Sequence, residues 1–117
     1  MFRKRKRVGN ARPSRTELHR AAAVREFTDR GWPQSTAALT ALAMHPFDDG
    51  VEPVNGSWED RTRRASMAFW MQMRLLENPE SVASLARHAL TGYRETAIAA
   101  GDPYYARRYD TTLEQSA

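Results

Sequence analysis

The chain has 117 residues, 41% of them hydrophobic and 27% charged, proportions that suit a single globular domain rather than a disordered polymer. It contains no cysteine, which excludes disulfides, thiol nucleophiles and cysteine-based zinc or iron–sulfur centres; no run approaches the ~18 consecutive apolar residues of a membrane span. The net charge of +4 is unevenly placed: residues 1–15 hold seven basic residues and no acid, whereas residues 16–117 hold eleven basic residues against fourteen acids, a balance of −3.

The chain begins MFRKRKRVGNARP. Like charges repel along this stretch and no apolar period offers anything to bury, so residues 1–13 are expected to form a flexible basic arm. No apolar h-region follows the positive run, so it is not read as a secretory leader, and a cytoplasmic location is expected. Sixteen of the eighteen basic residues are arginine, a bias typical of a GC-rich genome, which points to a bacterial or phage origin.

Residues 14–117 are expected to form one helical domain. Ser14 and Glu17 have the spacing of a capping box, and Leu18, Ala21, Ala22, Val24 and Phe27 supply an apolar face before Gly31 stops the first helix. A second helix is predicted from residue 34 or 35 to about residue 44, with Leu39 and Leu42 among small alanines that permit close approach. His45 precedes Pro46, which disfavours further helix. The stretch PFDDGVEPVNG reads as a loop, because no alternating segment flanks its Asn-Gly pair to make a hairpin.

The third helix is predicted over about residues 57–77, with Glu59 and Asp60 favourably placed at its positive end. Asn78-Pro79 ends one helix and begins the next. The fourth, over about residues 79–100, has the cleanest 3.6-residue period, with Val82, Leu85, Ala86, Ala89, Leu90, Tyr93 and Ala97 on one face. That period runs unbroken through Gly92, so a helix-turn-helix is not supported. Gly101 and Asp102-Pro103 lead into a short last helix over about residues 104–113. The expected fold is all-α: a compact bundle of about five helices behind a disordered basic arm, with the third and fourth helices as its central hairpin.

Two features bear on function. In the arm, Arg3, Lys4, Arg5, Lys6, Arg7, Arg12 and Arg15 suit nucleic-acid backbone, since each phosphate neutralised releases a condensed counterion. An anionic lipid surface would attract the same run, and a solvated tail is the unspecialised alternative. On the third helix, Trp58, Ala65, Phe69, Met73 and Leu76 form a stripe expected to be buried, widened by Ala68, Met71 and Leu75. Outside it lie Arg63, Met67, Trp70 and Arg74, spaced i, i+4, i+7 and i+11. Tryptophan and arginine together are enriched at binding hot spots, so these four are the candidate partner-binding residues. The competing reading is a central helix buried on two sides, its arginines reaching outward.

The segment PYYARRYD interleaves aromatics with arginine and could stack on bases, but Tyr105 and Tyr109 at i, i+4 equally suit docking of the last helix. His19, His45 and His88 lie apart in sequence without metal-ligand spacing, and Asp48, Asp49 and Glu52 lack the pattern of a calcium loop. No phosphate-loop, dinucleotide or nucleophile-elbow motif is present. No catalytic residue, metal or cofactor is therefore expected. The expected function is that of a non-enzymatic accessory protein binding nucleic-acid backbone with little sequence preference. The alternatives are a protein-binding adaptor or inhibitor encoded by a phage or other mobile element, its arm incidental, and a structural or assembly component that forms a homo-oligomer.

Overall fold

A computed structural model describes residues 13–116. Five helices follow one another, α1 (Arg15–Asp29), α2 (Gln34–Met44), α3 (Ser57–Met73), α4 (Pro79–Ala99) and α5 (Pro103–Gln115), with no strand among the described residues. Of the basic residues expected in the arm, Arg3, Lys4, Arg5, Lys6, Arg7 and Arg12 lie outside the described residues, while Arg15 is exposed in the first turn of α1. No helix among the described residues is long and apolar enough to cross a membrane.

The helix boundaries follow local chemistry. At the start of α1 the Ser14 hydroxyl accepts from the Glu17 amide at 3.1 Å and the Glu17 carboxylate accepts from the Ser14 amide at 2.8 Å. This reciprocal cap satisfies two amides that the helix itself leaves without partners. Asn78 caps α4 by accepting from the amides of Glu80 and Ser81. α4 runs unbroken past Gly92. Gly31 and Gly101 take φ of +91° and +77° at the ends of α1 and α4, a left-handed conformation that other residues adopt only with strain.

The centre of the bundle is α2 rather than the predicted pairing of α3 with α4. α3 and α4 do pack together, but α2 touches all four other helices, and among the helices α1 touches α2 alone. Ala37, Leu39, Thr40, Ala41, Leu42, Ala43 and Met44 are all buried. Small side chains let neighbours approach on every side, and that is why a helix with little amphipathic pattern takes the middle.

Two further expectations are corrected. α3 ends at Met73, four residues short of its expected end, as the amides of Leu75 and Leu76 close tight turns onto the carbonyls of Gln72 and Met73. In α1 only Ala23 and Phe27 are buried, and Leu18, Ala21 and Ala22 are exposed. A helix that rests on one neighbour buries a narrow stripe, and Arg20 occupies part of that stripe in place of an apolar residue.

Candidate functional site

The C-terminal end of α2 and the loop that follows it form the hub on which the other helices are hung. A helix end leaves carbonyls without intrahelical partners, and here side chains from other helices supply the donors. The Ala43 carbonyl accepts from Ser66 Oγ of α3 at 3.0 Å and from the Tyr93 hydroxyl of α4 at 2.9 Å. The Met44 carbonyl accepts from Ser66 Oγ at 3.0 Å and from Trp70 Nε1 at 3.1 Å. Arg20 of α1 donates to the carbonyls of His45 and Phe47 and places Nη1 2.6 Å from Asp48 Oδ1. From α5, Tyr109 donates to the Pro46 carbonyl at 2.8 Å and Tyr105 to the Val51 carbonyl at 2.6 Å.

Asp48 gathers the charged groups of this hub. Burial pushes its carboxyl up, but hydrogen bonds from Tyr104 and Arg20 and the charges of Arg108 and Arg20 outweigh that and hold it below the usual carboxylate value. Asp49 accepts from the Thr16 amide and hydroxyl at 2.9 and 2.7 Å, adding an acceptor to the first turn of α1 from outside the helix. The acidic loop thus ties α1 and α5 together. Among the described residues no group of three or more His, Asp or Glu side chains could hold a metal ion.

The aromatic residues of α5 serve the same hub. Tyr105 and Tyr109 are both 0% exposed, so of the two readings of PYYARRYD the docking one describes these rings. Tyr104 is exposed, with its hydroxyl donating to Asp48 Oδ2 at 2.6 Å.

Against this frame α3 stands as a ridge between two clefts. The first, about 350 Å³, lies between the start of α1 and α3, with Met44, His45 and Phe47 in its floor and Arg63, Met67 and Trp70 on its α3 wall. The second, about 320 Å³, lies between α3 and α4 and is lined by Ala65, Ala68, Phe69, Leu85 and Ala89. Three of the four predicted partner-binding residues therefore share the first cleft; Arg74 does not, and sits exposed at the C-cap of α3. Arg63 pairs with Glu59 at 2.6 Å and lies 4.7 Å over the Phe47 ring. Trp70 is half-buried, anchored by its bond to Met44 and edge-on to His45 at 5.9 Å. The His45 and His19 rings are 5.5 Å apart, a pairing that their distance along the chain conceals.

The exposed apolar residues of the ridge are Met67 at 64%, Met71 at 66% and Leu75 at 82%. Sequence periodicity places Met71 and Leu75 beside the core; in the structure both are exposed, Met71 on the side of α3 away from its buried face and Leu75 in the turn past its end. The buried face of α3 is Trp58, Thr62, Ser66, Phe69 and Met73. Thr62 and Ser66 take core positions that a hydrophobic wheel assigns to apolar residues, so the buried stripe is rotated away from Ala65 and Met71, while Leu76 lies past the end of the helix. Comparison of the chain with protein-family models, curated proteins and solved structures finds no match.

Proposed function

We propose that this is a non-enzymatic helical accessory protein that binds nucleic-acid backbone through a basic N-terminal arm and contacts protein through α3. The observation that carries the first half is the segregation of charge, +7 over residues 1–15 against −3 over the rest. Phosphate neutralisation by Arg3, Lys4, Arg5, Lys6, Arg7, Arg12 and Arg15 needs no fixed geometry and confers little sequence preference. The commitment of Asp48 to Arg20 and Arg108, and of Asp49 to the start of α1, supports it further, because loop carboxylates already engaged within the body compete less for the arm. The arm then acts as the electrostatic element in a bacterial or phage-infected cell, and the helical body as its carrier.

Binding of random duplex DNA and of single-stranded RNA tests this reading. The full chain should bind both, and deletion of residues 1–12 should abolish binding with helical content unchanged. Binding that survives the deletion places the determinant elsewhere.

The exposure of Met67 and Met71 on the ridge favours a second reading, a protein-binding adaptor whose arm is incidental. Its signature is a stoichiometric complex with one cellular protein that is indifferent to arm deletion and lost on Met67→Glu.

A further inference from the structure

We infer that the second cleft, between α3 and α4, is a binding site for a small, flat aromatic molecule that carries a hydroxyl or carbonyl oxygen. The site is separate from the arm and from the cleft that holds Trp70, and it goes beyond the function proposed above.

Of the residues lining this cleft, Thr62, Phe69 and Tyr93 are buried and form its floor. Ala65 and Ala68 of α3 face Ala89 and Gly92 of α4 across it. The floor carries two hydroxyls. That of Tyr93 donates to the Ala43 carbonyl at 2.9 Å, whereas Thr62, 1% exposed, has no partner for Oγ1 among the described residues. A helix offers a threonine hydroxyl the carbonyl four residues back, and Thr28, Thr40, Thr91, Thr96 and Thr112 each take it. Thr62 does not, and a buried hydroxyl without a partner costs stability.

Gly92 is the second feature. Inside a helix glycine is destabilising relative to alanine, and two common reasons for it are absent here. Its φ is not left-handed, and a Cβ at this position would meet no packed neighbour within 4 Å. Neither a turn nor the close approach of another element calls for glycine. What the missing side chain leaves is width in the cleft. An unpartnered hydroxyl and a helical glycine, both departures from the stablest sequence, thus fall on the floor and wall of one cleft, and such departures are expected at functional sites.

Shape and chemistry give the class of ligand. Alanine and glycine on both walls make the space between the helices a slot, which suits a flat ring, with the Phe69 and Tyr93 rings beneath it. An enclosed cavity of about 150 Å³ holds benzene, so a cleft of about 320 Å³ admits a two-ring molecule. An oxygen on the ring that reaches the floor gives Thr62 the partner it lacks. A bare hydrocarbon ring does not, and a site built to pair a polar group disfavours the analogue without one.

The compounds 2-naphthol and naphthalene, alike in shape and different by one hydroxyl, test this with the full chain. Amide NMR shifts should move in α3 and α4 around Thr62 and Gly92 as 2-naphthol is added, and at matched concentrations naphthalene should bind roughly three- to tenfold more weakly. In Thr62→Val that preference should vanish although the variant is the more stable protein, a combination that a purely structural threonine does not produce. In Gly92→Leu, whose side chain enters the open space, both compounds should lose binding, with thermal melts confirming that the variant is folded. Shifts with neither compound, shifts centred outside this cleft, naphthalene bound as tightly as 2-naphthol, or a preference that survives Thr62→Val each overturns the inference. Deletion of residues 1–12 should leave 2-naphthol binding unchanged, so the outcome is independent of the arm's binding to nucleic acid.

Discussion

The hydroxyls of Tyr109 and Thr62 are both sealed from solvent, at 0% and 1% exposure, yet they stand in opposite circumstances. Tyr109 donates to the Pro46 carbonyl at 2.8 Å, whereas Thr62 Oγ1 has no partner among the described residues. Removing one member of a satisfied pair leaves the other buried and unpaired, so Tyr109→Phe should cost about 1–3 kcal/mol in urea unfolding. Replacing an unpartnered hydroxyl with a methyl removes a desolvation penalty, so Thr62→Val should stabilise by roughly 1 kcal/mol. Opposite signs for two hydroxyl deletions distinguish this account from one in which core hydroxyls merely fill space; a destabilised Thr62→Val would mean that the threonine has a partner after all.

At the scale of the element, helix ends were the most legible part of the sequence, because caps are local chemistry. Ser14 with Glu17, Asn78 with Pro79, and Gly101 mark boundaries where the structure has them. Asp102 shows what a local reading omits. It caps α5 by accepting from the Tyr105 amide, but it also accepts from the Val54 amide at 2.8 Å and so fastens the α2–α3 loop to the α4–α5 corner. Asp102→Ala should therefore exceed the ~1 kcal/mol typical of a lost cap, and thermal unfolding should place it nearer ~2 kcal/mol once the Val54 amide also loses its acceptor. A cost of an ordinary cap alone would mean that the long-range bond contributes nothing. Helix faces were less legible than ends. The half-burial of Arg20 and the burial of Ser66 depend on which carbonyls need donors across the bundle, and no periodicity within one helix records that, nor the burial of Thr62 or the exposure of Leu18, Met71 and Leu75. The candidate site inherits this: Met67 was legible as an exposed apolar residue, but its neighbours along the ridge were not.

At the scale of the whole molecule, α2 and its loop hold the helices together through side-chain donors, and that gives the stability a pH dependence. Burial, and then the charges of His19 and Arg20, hold His45 below its ordinary value of 6.5. The unfolded chain takes up a proton that the folded chain resists, so this contribution is complete above about pH 6.5 and is lost as pH falls through the folded value. Asp48, held below its ordinary 3.8, adds a second loss at lower pH with the same sign. Urea melts at about pH 7.5 and about pH 5.5 should show lower stability at the acidic value, with the difference reduced in His45→Gln. A difference of the same size in that variant would assign the dependence to other groups. The proposed function rests on the separation of charge between residues 1–15 and the rest, and one measurement addresses it most directly. Affinity of the full chain for random duplex DNA should fall linearly on a log–log salt plot, with a slope of about −0.9 for each phosphate neutralised and up to seven phosphates if every basic residue of the arm engages. An affinity that does not change with salt would contradict the account.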